Sequence, residues 1–161
     1  MPKLTVNDID LQGKRVLTRV DYNVPMAEQD GAMVINDDTR IRATLPTLKL
    51  MIENGAKVIL TAHLGRPKGE RVPSMSLRPV ADKLAELTGK PVAFCDQCVG
   101  QAAEDAAAKL EDGGLLLLEN VRYHAEEDTL GSQREALVGR EGCTCEGEAG
   151  LQGGLSGAEG S

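Results

Sequence analysis

The sequence predicts an α/β domain in three layers, a parallel sheet with helices on its two faces. Three observations carry that expectation. Short apolar runs at 16–20, 58–60, 91–94 and 115–118 have strand length, and the last, Leu115 to Leu118, is apolar throughout, as a strand buried on both faces should be. Between them lie stretches with apolar residues three and four apart, the spacing of one helical face. Glycines at 55, 89 and 113–114 close each helical stretch just before the next strand. Strand alternating with helix is the signature of a parallel sheet with right-handed crossovers.

Taken in order, residues 4–13 form a lead-in, with Asp8 and Asp10 ahead of a turn at Gly13. The first strand spans 15–20 and stops at Asp21-Tyr22-Asn23-Val24-Pro25. Glu28 to Gly31 reads as a turn, and Met33-Val34-Ile35 as a small strand of a hairpin or a local extension. Asn36 to Thr39 offers several helix caps, after which Ile41, Leu45, Leu48 and Ile52 share one face. Pro46 either kinks this helix or stands in the first turn of a second start capped by Thr44. Arg40 falls at the helix start, where a guanidinium adds to the positive end of the dipole, unfavourable locally but suited to holding an anion. Arg42, two residues on, points elsewhere.

The second strand, Val58-Ile59-Leu60, runs into Thr61 to Gly69, a loop with His63, Arg66 and Lys68 between Gly65 and Gly69. Ser76 is placed to cap a helix carrying Leu77, Val80, Ala81, Leu84 and Leu87. Pro91 to Phe94 is the third strand, an alanine-rich helix follows over Val99 to Leu110, and Asp112-Gly113-Gly114 turns into the fourth strand at 115–118. Residues 129–161 hold 9 of the 18 glycines, no aromatic residue and no Ile, a composition that predicts disorder beyond a short helix at 132–138. The expected organisation is therefore a domain over 1–128 and a Gly-rich tail over 129–161.

Composition narrows the function classes. The chain has 161 residues, 41% of them apolar, with three aromatic side chains and a net charge of −7. Residues 1–78 hold 12 Lys and Arg against 9 Asp and Glu, whereas 79–161 hold 6 against 16. The acidic total argues against bulk nucleic-acid binding, which needs a basic footprint, while a local basic cluster suits a small acidic molecule. No apolar run approaches the roughly 20 residues of a membrane span, and the start lacks a secretory pattern, so a cytoplasmic protein is expected. Cys95-Asp-Gln-Cys98 has a redox or zinc spacing, and Cys143 and Cys145 could add two thiolates. With 44 residues between the pairs, buried or incidental thiols are the expectation.

In an open α/β sheet, ligands bind outside the carboxyl ends of the strands. Three such ends deliver Asp21 and Asn23, His63 and Arg66, and Asn120 and Arg122 to one edge, and a phosphate is the natural guest. These same residues carry a likeness. Arg19-Val20-Asp21-Tyr22-Asn23-Val24-Pro25, Thr39-Arg40-Ile41-Arg42-Ala43-Thr44-Leu45-Pro46-Thr47, His63-Leu64-Gly65-Arg66-Pro67 and Leu117-Leu118-Glu119-Asn120-Val121-Arg122-Tyr123 together resemble the N-terminal domain of phosphoglycerate kinase, over about residues 4–128.

The resemblance implies a Rossmann-like N-terminal domain, incomplete here, that takes 3-phosphoglycerate or 1,3-bisphosphoglycerate, with family members usually monomeric. It implies substrate contacts from Asp21, Tyr22, Asn23, Arg40, His63, Leu64, Gly65, Arg66 and Arg122. Arg40 would neutralise charge on the transferring phosphoryl group, and Asp21 would orient it. Mg-ATP or Mg-ADP serves the family, but its site belongs to a second domain with no counterpart here, and no Gly-x-x-x-x-Gly-Lys-Ser/Thr motif offers another. The tail matches nothing in the family, the chain looks truncated, and the edge of the first strand is expected to stay open. A different class remains alongside, a non-catalytic anion-binding or interaction module.

Overall fold

The computed structural model describes residues 3–128, and the expectations for 129–161, Cys143 and Cys145 lie outside them. Four parallel strands, β1 (Arg15–Arg19), β4 (Lys57–Thr61), β5 (Val92–Cys95) and β6 (Leu115–Leu118), form one sheet in the order β1-β4-β6-β5. Between the first two in sequence, β2 (Met26–Gln29) and β3 (Ala32–Ile35) pair antiparallel about a turn at Asp30-Gly31. The hairpin form of the 33–35 strand is thus the one adopted. Its partner, Met26–Gln29, has too little apolar alternation to be read from sequence.

Three helices complete the layers: α1 (Thr39–Glu53), α2 (Arg78–Thr88) and α3 (Gln101–Ala108). On one face, Ile41, Leu48 and Met51 of α1 and Val80, Ala81 and Leu84 of α2 pack on Val58, Leu60, Leu115 and Leu117. On the other, Ala103 and Ala107 of α3 pack near Ile59, Leu116 and Leu118. Alternate residues of one strand therefore feed opposite cores, the reason Val58-Ile59-Leu60 and Leu115 to Leu118 are apolar without interruption. The crossover from β5 returns to β6 rather than moving outward, so its helix lies on the opposite face from α1 and α2.

Pro46 lies inside α1, which runs unbroken through it. Thr44 does not start a new helix: its hydroxyl donates to the Ile41 carbonyl at 2.7 Å and meets the Tyr22 hydroxyl at 2.9 Å. The helix start is held instead by Asp37, whose carboxylate accepts the Thr39 N–H at 2.9 Å. Ser76 accepts the Arg78 N–H at 3.2 Å but donates its own proton to Glu119, so the cap is shared with a buried carboxylate. Gly89 ends α2 at φ +66°, the left-handed conformation that suits glycine at this position.

β1 is an edge strand with no partner on its outer side among the described residues. Cys95 and Cys98 are buried free thiols in the α3 core, and burial pushes the Cys98 thiol up to about 12. None of the described helices is long and apolar enough to cross a membrane. Leu117→Ala, which empties a wholly buried site, should destabilise the domain by about 2–5 kcal/mol in urea unfolding followed by circular dichroism.

Candidate functional site

The carboxyl ends of β1, β4 and β6 are neighbours because those strands are neighbours, in register Val16 with Val58 and Leu60 with Leu117. Their loops are tied to one another directly. The Asn23 side-chain oxygen accepts the Gly65 N–H at 2.9 Å, joining the first loop to the second. The Arg122 guanidinium donates to the Gly65 carbonyl at 2.8 Å, and the Gly69 N–H donates to the Arg122 carbonyl at 3.1 Å, joining the third to the second. Glycine is required at 69: its φ is +77°, and a Cβ there would stand 2.9 Å from that of Ala125.

Arg40 reaches this rim from the first turn of α1. Its Nη1 donates to Asp21 Oδ1 at 3.1 Å and to the Asn23 carbonyl at 2.9 Å. Asp21 accepts the Asn23 N–H with the same oxygen at 3.1 Å, so one carboxylate both shapes the loop and orients the guanidinium. Both members of the pair are about half exposed, at 52% and 60%, which leaves the cation accessible. Arg66, on the loop after β4, is exposed and forms no hydrogen bond or ion pair among the described residues. Arg42 instead pairs with Asp38 at 2.8 Å, within its own helix.

His63 is half-buried at the end of β4, and its Nδ1 is enclosed with no hydrogen-bond partner. Burial first, then the Arg122 guanidinium, holds its pKa below the usual 6.5, with Arg19 acting the same way and Asp21 and Glu127 opposing. Both effects favour the neutral imidazole. The charge of Arg122 thus reaches the His63 ring.

Two residues expected to touch substrate turn inward. Tyr22 is wholly buried, its hydroxyl on Thr44, and burial pushes its pKa up to about 12. Leu64 is 5% exposed and packs in the α1–α2 core. The reason is local: in extended backbone successive side chains point to opposite sides, so residues flanking Asp21, Asn23 and His63 face the core when those face out. Asn120, expected at the edge, is also fully buried.

Arg19 and Glu127 escaped the sequence reading. They form an ion pair beside His63, across 108 positions of chain, with Arg19 on the last residue of β1. Arg19 stood in the first motif, but its carboxylate partner carries no local signal. In sum the rim holds the guanidiniums of Arg19, Arg40 and Arg122 and a neutral imidazole against the carboxylates of Asp21 and Glu127.

Arginines and a histidine gathered at the carboxyl ends of adjacent parallel strands define the class: an open α/β domain, whose ligands bind at that edge. The family model described as phosphoglycerate kinase matches residues 6–141. The chain belongs to the phosphoglycerate kinase family. It is 55% identical over 131 residues to the phosphoglycerate kinase of Gloeothece citriformis, covering 80% of this chain and 32% of that one. With the phosphoglycerate kinase of Chloroherpeton thalassium it is 51% identical over 128 residues, covering 80% and 31%. The crystal structure of phosphoglycerate kinase from Pyrococcus horikoshii superposes with a TM-score of 0.70 at 33% identity, over 81% of this chain and 31% of that one. The chain thus spans about a third of the length of these relatives.

Two predictions follow from this geometry. Arg40→Ala removes a half-exposed pair and should lower stability by no more than about 1 kcal/mol in urea unfolding, since such pairs contribute little. His63 should titrate below 6.5 when its ring carbon signals are followed by NMR. The unfolded chain then binds this proton at a pH where the folded one does not, so its contribution to stability is present above pH 6.5 and is lost as pH falls through the folded value.

Proposed function

We propose that this chain supplies the 3-phosphoglycerate half-site of a phosphoglycerate kinase, the glycolytic enzyme that transfers a phosphoryl group reversibly between 1,3-bisphosphoglycerate and ADP. The observation that carries this reading is the meeting of Asp21, Asn23, Arg40, His63 and Arg122 on three adjacent strand ends, together with membership of the family. Four of these side chains come from loops stitched by named hydrogen bonds, and the fifth from a helix start aimed at the same rim.

In this reading Arg122, Arg66 and His63 hold the phosphate of the substrate, and Asp21 and Asn23 meet its glycerate part. A neutral imidazole at His63 can donate one hydrogen bond without adding charge. Arg40 neutralises charge that develops on the equatorial oxygens of the transferring group. Phosphoryl transfer is largely positioning and charge stabilisation, so a preset guanidinium is an effective contribution. Tyr22 and Leu64 act behind the rim, fixing the loops that carry their neighbours.

A Mg-nucleotide, implied by the family, does not fit the residues described. Among the described residues no group of three or more His, Cys, Asp or Glu is placed to hold its metal ion. A cytoplasmic location and a monomeric state belong to the same reading.

Titration with 3-phosphoglycerate, followed by NMR, should shift the signals of His63, Gly65 and Arg122 and leave those of α3 in place. Arg66→Ala should weaken that binding about tenfold or more, as the loss of a charge-assisted contact predicts. No perturbation up to millimolar ligand would overturn the half-site. Binding with no turnover, even when the remainder of a family member is supplied, would instead favour the non-catalytic anion-binding module.

A further inference from the structure

The polar residue at the centre of the cleft's supports is one to which neither the family likeness nor the rim geometry assigns a role. Asn120 follows the wholly buried strand β6 and is itself 0% exposed. Its amide uses every hydrogen-bonding position it has. Nδ2 donates to the Leu64 carbonyl at 2.7 Å and to the Met75 carbonyl at 3.0 Å. Oδ1 accepts the Leu64 N–H at 3.3 Å and the Arg122 N–H at 3.1 Å. An asparagine has two donors and one oxygen able to accept twice, so the set is complete.

The partners matter more than the count. Leu64 is the residue directly after His63, and Arg122 is the second residue after Asn120 itself. Met75 lies 3.0 Å from Gly65 through its sulfur, counted from where a Cβ would stand, and so backs the same loop. One buried amide therefore fixes the backbone next to the imidazole, the backbone that carries the guanidinium, and the turn behind both. Glu119 seats this amide by accepting the Asn120 N–H at 2.8 Å, while also accepting the Leu77 N–H at 2.8 Å and the Ser76 hydroxyl at 2.6 Å.

We propose that Asn120 is a positioning residue that sets the separation of His63 and Arg122 for the bound anion. The inference rests on the half-site reading for its ligand, but not for its geometry. Contacts held behind a site by a second layer of hydrogen bonds commonly change affinity about 10–100-fold when removed.

The test uses the full chain with Asn120→Ala, and Leu117→Ala as a control that loses core packing without touching the clasp. His63 is titrated by NMR in each, in the field of Arg122, Arg19, Asp21 and Glu127, and 3-phosphoglycerate affinity is measured by calorimetry. In folded Asn120→Ala the His63 titration should move up toward 6.5, and the dissociation constant should rise about tenfold or more. The control should change neither. Asn120→Ser, whose hydroxyl is short but able to accept the Arg122 N–H, should show the same changes to a smaller degree. A folded variant with His63 titration and affinity both within about twofold of the parent would overturn the proposal. So would failure of both Asn120 variants to fold, which would assign the residue to folding alone. If the parent itself binds no 3-phosphoglycerate, the half-site reading fails, and the His63 titration alone decides the role of Asn120.

Discussion

A buried carboxylate and a buried amide, adjacent in sequence at the end of β6, hold the carboxyl edge of this sheet together. Glu119 is 3% exposed and Asn120 0%, and their two side chains make seven hydrogen bonds, one of which joins the pair. Burying two such groups is tolerable only because their oxygens and N–H groups are met, since each left alone costs about 1–3 kcal/mol. What they meet is the loop after β4, the turn ahead of α2 and the turn after β6. The cleft therefore inherits the rigidity of the core through two side chains rather than through loop stiffness.

That rigidity bears on the electrostatics of the rim. Like-charged guanidiniums repel, and neighbouring loops free to move would drift apart. Here Asp21 offsets Arg40, Glu127 offsets Arg19, and the Gly65 carbonyl takes a hydrogen bond from Arg122. His63 responds by staying neutral, the less demanding state for a half-buried ring beside an arginine. A ligand with several negative oxygens would relieve the same repulsion that the fold restrains, so binding energy and local stability are coupled at one place.

The strand order explains why the cleft lies toward β1. β1, β4 and β6 are contiguous, and their loops leave the sheet side by side, while β5 stands at the far edge with its loop turning to the opposite layer. The Arg71 guanidinium donates to the Asp96 carbonyl at 2.9 Å and spans these two regions.

Much of this was legible in the sequence, and for a clear reason. Strand and helix follow from apolar spacing, which is a local property, so β1, β4, β5, β6 and the three helices stood where Val, Leu, Ile and Ala are periodic. Asp21, Asn23, His63 and Arg122 could be gathered on one edge because parallel strands always release their loops on the same side. Tyr22 and Leu64 could have been turned inward by the two-residue alternation of extended chain, a signal present but unused. The strand Met26–Gln29 was hidden because a short hairpin is set by its turn and its partner rather than by its own pattern.

By itself, then, the sequence determined which segments are strands and helices and which residue types crowd the strand ends, because both depend on neighbours along the chain. Only the tertiary structure decided that Asn120 faces the core instead of the cleft and that Arg19 meets Glu127. It also decided that the His63 pKa lies below its usual value. Each of these is set by what stands across space, by desolvation and by partners far away along the chain, and no periodicity records them.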